Sequence, residues 1–266
     1  MFADSWFETL AWVKHAIKAA GPHGVHSPFV YRLITRDLRK RNLFPVQPQI
    51  EAYRKRLKQS TDVVEVNDLG AGSRVNKHAR RSVASIAKSA LQPASHAQVM
   101  ATLARHSQSR NILELGTSLG LTSAYLALSS SDVRVVTIEG APAIAQLAAE
   151  SWQAIGLNNV ELVTASFDEA LPDVFAKMTR VDFVLIDGNH RYEPTMRYIN
   201  QLLSIVHEET VIVLDDIHWS EEMERAWNEC AALAEVSLSL DFFDFGVLYF
   251  KKGRRKEHFR LYRPWH

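Results

Sequence analysis

Cysteine is nearly missing from this chain: Cys230 is the single one in 266 residues. An intrachain disulfide is therefore excluded, and the surrounding WNECAALAEV reads as a helix packing face. Such usage fits a reducing compartment. No segment reaches the roughly eighteen uncharged apolar residues that a bilayer span requires, and the first residues lack a basic stretch followed by an apolar one, so the expected location is the cytoplasm. An excess of one charge sign is also lacking. The 31 Lys and Arg against 30 Asp and Glu leave a formal charge of +1, which provides no global field to gather nucleic acid or an anionic membrane. The locally basic run of Lys251, Lys252, Arg254, Arg255 and Lys256 has no interleaved aromatics and reads as a solvated turn. What is present is an ordinary globular mixture, 47% hydrophobic and 23% charged, sufficient for one large α/β domain or a compact domain with an extension.

Phe2, Trp6, Leu10, Val13 and Ile17 recur at helical spacing, which predicts an amphipathic helix whose apolar face packs on the domain or on a second copy of the chain. After Gly21, Pro22 and Gly24 a second helical stretch runs from about Pro28 to Arg41. Helical patterns recur over Glu51 to Ser60 and Val75 to Leu91, separated by VVEVNDLGAGSR. Asp68 to Arg74 within that separator imitates a nucleotide-binding turn, but no second strand ending in an acid follows it, so it reads as a glycine-rich loop, either a surface turn or a lid. From Asn111 onward, apolar strands at 111–115, 133–138, 160–164, 182–186 and 211–214 alternate with helical patterns. That alternation means a Rossmann-like, doubly wound parallel sheet, with ligands at the carboxyl ends of the strands. The tail from Val236 to Lys251, then His258 to Tyr262, reads as a closing antiparallel hairpin.

The stretch Asn111 to Ala127, NILELGTSLGLTSAYLA, joins a strand, a tight turn and a helix. Gly116 and Gly120 supply the backbone freedom and close approach that such a turn needs. Glu114 beside them decides the ligand type. A pyrophosphate at the helix N-terminus would be repelled by a carboxylate there, and Gly-x-Gly-x-x-Gly is absent. A ligand with a cationic end, such as S-adenosylmethionine with its ammonium and sulfonium, is attracted.

Glu114-Leu-Gly116-Thr117-Ser118-Leu-Gly120 resembles the first motif of class I S-adenosylmethionine-dependent methyltransferases, in the form found among small-molecule O-methyltransferases. Ser118 stands where many of those enzymes carry a middle glycine. Glu139 ends the next strand, 25 residues after Glu114, where a carboxylate can accept hydrogen bonds from ribose hydroxyls or, alternatively, cap the helix at Pro142. The resemblance implies that Ser166, Phe167 and Asp168 frame the adenine, with Phe167 against the ring; Ser166 is equally suited to cap a helix. The upstream HGVHSPFVY, His23 to Tyr31, resembles a segment preceding the methyltransferase domain in a group of bacterial class I enzymes, and His26 and Tyr31 within it are candidates for the acceptor site or for a packed cap.

Asp187, Asp215 and Asp216 end neighbouring strands as three hard oxygen ligands for a cation such as Mg²⁺, whose charge would relieve their repulsion; a basic partner or protonation would relieve it too. This arrangement resembles the metal-dependent catechol- and caffeoyl-type O-methyltransferases, with Asp216 where an asparagine is usual. His190 falls where those enzymes carry a lysine, which implies that it removes the acceptor's proton, a task suited to a group titrating near neutrality; a supporting or metal-binding role is the alternative. His218 and Trp219 either shape the acceptor pocket or start a helix. Together these residues indicate a methyltransferase domain at 95–266 with a helical extension at 1–94 that caps the site. Its expected partners are S-adenosylmethionine, a divalent cation, a small hydroxylated acceptor and a second copy of the chain. An NAD-dependent oxidoreductase and a non-catalytic S-adenosylmethionine-binding interaction protein are the competing readings.

Overall fold

A computed structural model describes residues 2–66 and 80–265, without the side chains of residues 2–5. The Asp68 to Arg74 loop lies outside the described residues. The chain begins with α1 (Phe2–Lys18), α2 (Pro28–Arg32) and α3 (Pro48–Gln59), followed by β1 (Val63–Glu65), β2 (Arg80–Ser82), α4 (Val83–Ala90) and α5 (Ala94–His106). It continues through β3 (Asn111–Leu115), α6 (Leu121–Ala127), β4 (Arg134–Glu139), α7 (Pro142–Ala154), β5 (Val160–Thr164) and α8 (Phe167–Lys177). The last part holds β6 (Phe183–Ile186), α9 (Tyr192–Leu202), β7 (Val211–Asp215), α10 (Glu221–Ala232), β8 (Leu238–Asp241), β9 (Phe245–Tyr249) and β10 (Glu257–Arg260). Two compact units result, one of residues 44–179 and one combining 1–43 with 180–266.

In the unit of residues 44–179, β3 pairs with β4 and β4 with β5, all parallel. Ile112, Leu113 and Leu115 are fully buried, as expected of a strand covered on both faces. A core of Ile50, Leu57, Ile86, Tyr125 and Trp152 joins the helices to this sheet. One local expectation needs correction. The predicted helix over 75–91 starts only at Val83, because Arg80 to Ser82 pairs antiparallel with Val63 to Glu65. Ser82 then caps α4 by accepting the Ser85 N–H at 3.2 Å.

In the other unit, β6 and β7 are parallel, β9 runs antiparallel to both β7 and β8, and β10 pairs parallel with β8. The hairpin is therefore β8–β9, inside the aromatic stretch, and the segment 258–262 adds a parallel strand instead of closing it. Gly246 on β9 makes room for the fully buried ring of Trp227 on α10, which a Cβ there would enter. The helix expected from Pro28 to Arg41 changes pitch at Leu33–Asp37, where Leu38 N–H reaches back five residues to Leu33 O at 2.8 Å, and ends there. The apolar stripe of α1 faces outward: Trp6 is 67% and Ile17 79% exposed, whereas Ala11 and His15 are buried on the opposite side. Of the two packings the spacing allowed, on the domain or on a second copy, the first is not the one adopted. The basic run 251–256 is exposed, as read. Among the described residues no helix is long and apolar enough to cross a membrane.

Candidate active site

The turn after β3 packs three left-handed residues into five positions: Gly116 at φ 106°, Ser118 at 49° and Gly120 at 73°. Ser118, where a glycine was expected to be easier, takes this conformation because its N–H donates to Glu139 Oε2 at 2.9 Å, offsetting the strain of a left-handed side-chain residue. The other oxygen, Oε1, accepts the Ala141 N–H at 2.9 Å. The Glu139 carboxylate thus holds the turn and the start of α7 together. Gly120 is fixed by a neighbour that the sequence pattern did not reveal. Trp152 donates Nε1–H to Gly120 O at 2.7 Å, and a Cβ on Gly120 would lie 2.8 Å from that nitrogen.

Glu114 is 1% exposed. Its Oε2 accepts from the hydroxyls of Ser123 and Thr137, and Thr137 Oγ1 lies 2.6 Å from Thr117 Oγ1. The acid, the turn, α6 and β4 are therefore joined by one buried network. Ser166 caps α8 through a reciprocal capping box: Glu169 N–H donates to Ser166 Oγ at 3.3 Å and Ser166 N–H to Glu169 Oε2 at 3.2 Å. Phe167 is the first residue of that helix and is half-buried.

The acids after β6 and β7 belong to the other unit. Both connections turn through left-handed residues, Asn189 at φ 51° and Asp216 at 55°, conformations that Asn and Asp tolerate best among side-chain residues. His190 Nε2 stands 3.8 Å from Asp187 Oδ1 and 3.8 Å from Asp216 Oδ2, within ion-pair range of both. The Trp219 ring is tilted against His190 with centroids 6.5 Å apart. Asp215 is 1% exposed, and burial, reinforced by Asp187, Asp216 and Asp244, pushes its carboxyl well above the usual carboxylate range. Protonation of Asp215 is thus one answer to the repulsion among these carboxylates. Among the described residues no group of three or more His, Cys, Asp or Glu side chains is arranged to hold a metal ion.

Beneath this loop lies a group the sequence reading missed. The fully buried carboxylate of Asp241, at the end of β8, meets His218 Nε2 at 3.1 Å and His15 Nε2 at 3.1 Å, with Arg260 Nε at 3.5 Å. Burial alone would raise the Asp241 carboxyl, yet the hydrogen bonds and charges of the two histidines hold it well below its ordinary value.

Residues 113–217 match the model of a methyltransferase domain family. That stretch is therefore similar to a methyltransferase domain. Over 114 residues, 41% of the chain, it is 28% identical to the O-methyltransferase imqG of Aspergillus flavus, and the match spans only 45% of that enzyme. Among solved structures, the Bacillus cereus O-methyltransferase in complex with SAH is 21% identical, with a TM-score of 0.57 over 79% of this chain and 94% of that one. The SAH-bound methyltransferase PaMTH1 of Podospora anserina is 13% identical, with a TM-score of 0.61 over 86% of this chain and 97% of that one. At such identities the likeness is one of fold. The mostly parallel strands with flanking helices have the Rossmann-like fold expected from the alternation of strands and helices.

Proposed function

We propose that this chain transfers the methyl group of S-adenosylmethionine to a hydroxyl oxygen of a small acceptor. The observation that carries the reading is the left-handed turn from Gly116 to Gly120, held by Glu139. Each Glu139 oxygen accepts one backbone N–H, which fixes the carboxylate beside the turn, where an acid suits the ribose hydroxyls of an adenosyl ligand. Glu114, buried behind the turn, adds a negative potential that favours a cationic ligand over a pyrophosphate. We assign Gly116, Thr117, Ser118, Gly120, Ser166, Phe167 and Asp187 to the same cofactor. When bound, S-adenosylmethionine supplies an electrophilic methyl on its sulfonium.

His190 is assigned to remove the acceptor's proton, and Asp187 and Asp216, each 3.8 Å from its Nε2, stabilise the imidazolium that forms. Since no group of three or more such side chains among the described residues is arranged to hold a metal ion, no step is routed through Mg²⁺. Catalysis is assigned to residues 95–266, with 1–94 as the extension.

Calorimetric titration with S-adenosylmethionine, S-adenosylhomocysteine and NAD, each with Mg²⁺ and with EDTA, tests this reading. Micromolar binding of both adenosyl ligands and none of NAD is expected; the reverse overturns it. Methyl transfer to a panel of hydroxylated acceptors should then fall at least a hundredfold in His190→Gln while S-adenosylhomocysteine affinity stays within twofold, each as an order-of-magnitude expectation for loss of a general base, about 10²–10⁴. A non-catalytic binding protein would lose nothing in that variant.

A further inference from the structure

The loop Asp215 to Trp219 carries two of the candidate acids and the indole beside His190, yet Asp216 sits in a left-handed conformation that the backbone alone does not favour. Something must hold it. Trp219 N–H donates to Asp216 O at 3.0 Å, closing the turn locally. Within that turn His218, just before Trp219, reaches the carboxylate of Asp241, with Nε2 at 3.2 Å from Oδ1 and 3.1 Å from Oδ2. Its ring stacks on Phe243, with centroids 5.1 Å apart and planes 15° from parallel, and Phe243 N–H in turn donates to Asp241 Oδ1 at 2.9 Å. Glu224 Oε1 lies 3.9 Å from the other ring nitrogen. His218 is therefore fixed on its edge and on its face.

The same carboxylate serves a second element. His15, on the buried side of α1, brings Nε2 to 3.1 Å from Asp241 Oδ1 and 3.2 Å from Asp241 O. Both neighbours of that nitrogen are acceptors, so it carries the hydrogen; the same holds for His218 Nε2, which faces only carboxylate oxygens. This fully buried carboxylate takes ring donors from residues 226 and 23 positions away, both within reach of Oδ1, and its negative charge strengthens both bonds.

We propose that Asp241 is the positioning residue of the acidic site: it holds His218, and through His218 the Asp216–Trp219 turn beside His190, while His15 ties the N-terminal helix to the same carboxylate. The catalytic meaning of this arrangement rests on the methyltransferase reading, but its test does not need turnover.

The full chain labelled with 5-fluorotryptophan gives fluorine NMR signals from six tryptophans, of which Trp219, Trp12 and Trp152 are assigned by their loss in Trp219→Phe, Trp12→Phe and Trp152→Phe. His218→Phe should displace the Trp219 signal and leave Trp12 in place. His218→Gln, whose amide nitrogen reaches about as far as Nε2, should restore it. His15→Phe should displace Trp12 alone, and Asp241→Asn both, with the Trp152 signal of the other unit unchanged throughout as the mark of a folded chain. Asp241→Asn that retains the Trp152 signal and moves neither reporter overturns the proposal, as does His218→Gln behaving like His218→Phe. If His218→Phe fails to fold, the Asp241→Asn and His218→Gln spectra decide the matter. Because adenosyl-ligand binding is measured separately, failure here is distinguishable from failure of the methyltransferase reading.

Discussion

The indole of Trp152 and the backbone of Gly120 occupy each other's only available space: Nε1–H donates to Gly120 O at 2.7 Å, and the ring leaves no room for a Cβ on a residue at φ 73°. Gly120→Ala therefore meets two penalties, the left-handed backbone and the overpacked contact. Together these are expected to destabilise the chain by about 2–4 kcal/mol. Urea unfolding reads the loss. The packing part should be relieved in Gly120→Ala/Trp152→Phe, so the double variant should lose less than the sum of the single variants. Strict additivity would mean that the Trp152 ring does not oppose the Cβ.

Glu139 has a structural duty and a proposed ligand duty, and these separate under substitution. Glu139→Gln keeps an oxygen for one of the two amides, Ser118 or Ala141, so the melting temperature should fall by only a few degrees. Removing the charge from hydrogen bonds to ribose hydroxyls should weaken S-adenosylhomocysteine binding by about 1.5–3 kcal/mol, roughly ten- to a hundredfold. Calorimetry and thermal denaturation on the same sample check this. A lowered melting temperature with unchanged affinity would leave Glu139 only as the clamp of the turn and of α7.

How far the sequence reached can be seen residue by residue. β3 lies at the residues expected, because a parallel strand buried on both faces is a largely apolar run that needs no knowledge of its partner, and β5, only partly buried, was still marked by Val160, Leu162 and Val163. β2 was illegible for the opposite reason: Arg80-Arg81-Ser82 has no apolar signal, and its strand character comes from pairing with Val63 to Glu65. Glu114, Glu139, Asp187, Asp215 and Asp216 could be named because each lies at or next to the carboxyl end of a strand. Asp241 also ends a strand, in SLSLDFFDF, and that acid after an alternating run was the available signal. Its meaning was not available, since it depends on His15, 226 residues away. Trp152 carried no local mark of its contact with Gly120.

Asp215 should be a site where the native side chain is not the most stable one. Its folded carboxyl titrates above the ordinary value, mainly through burial and then through Asp187, Asp216 and Asp244. The sign follows: folding favours the protonated form, so the contribution of Asp215 to stability is full below the unfolded carboxyl value of 3.8 and is lost as pH rises from there toward its raised folded value. Asp215→Asn removes that dependence. At pH 7 the variant should melt a few degrees above the native chain, with the gap closing as pH is lowered toward 4. A variant that melts lower at every pH would show that the charged form is the one the fold accommodates.

His96 gives the opposite pH dependence and can be tested in the same series. It lies on α5, buried, and desolvation lowers its value from 6.5 to about 4. The unfolded chain takes up a proton in that window and the folded chain does not, so stability must fall as pH drops from 6.5 to 4. Two and a half pH units at 1.36 kcal/mol each make the expected loss about 3 kcal/mol. Urea unfolding of the native chain and of His96→Gln at pH 6.5 and at pH 4.5 isolates this contribution, because the glutamine cannot take up the proton. The native chain should lose more stability than the variant by about 2–3 kcal/mol over that interval. Equal losses would mean that His96 takes up its proton in the folded chain, and that the acid sensitivity of this fold is set by other groups.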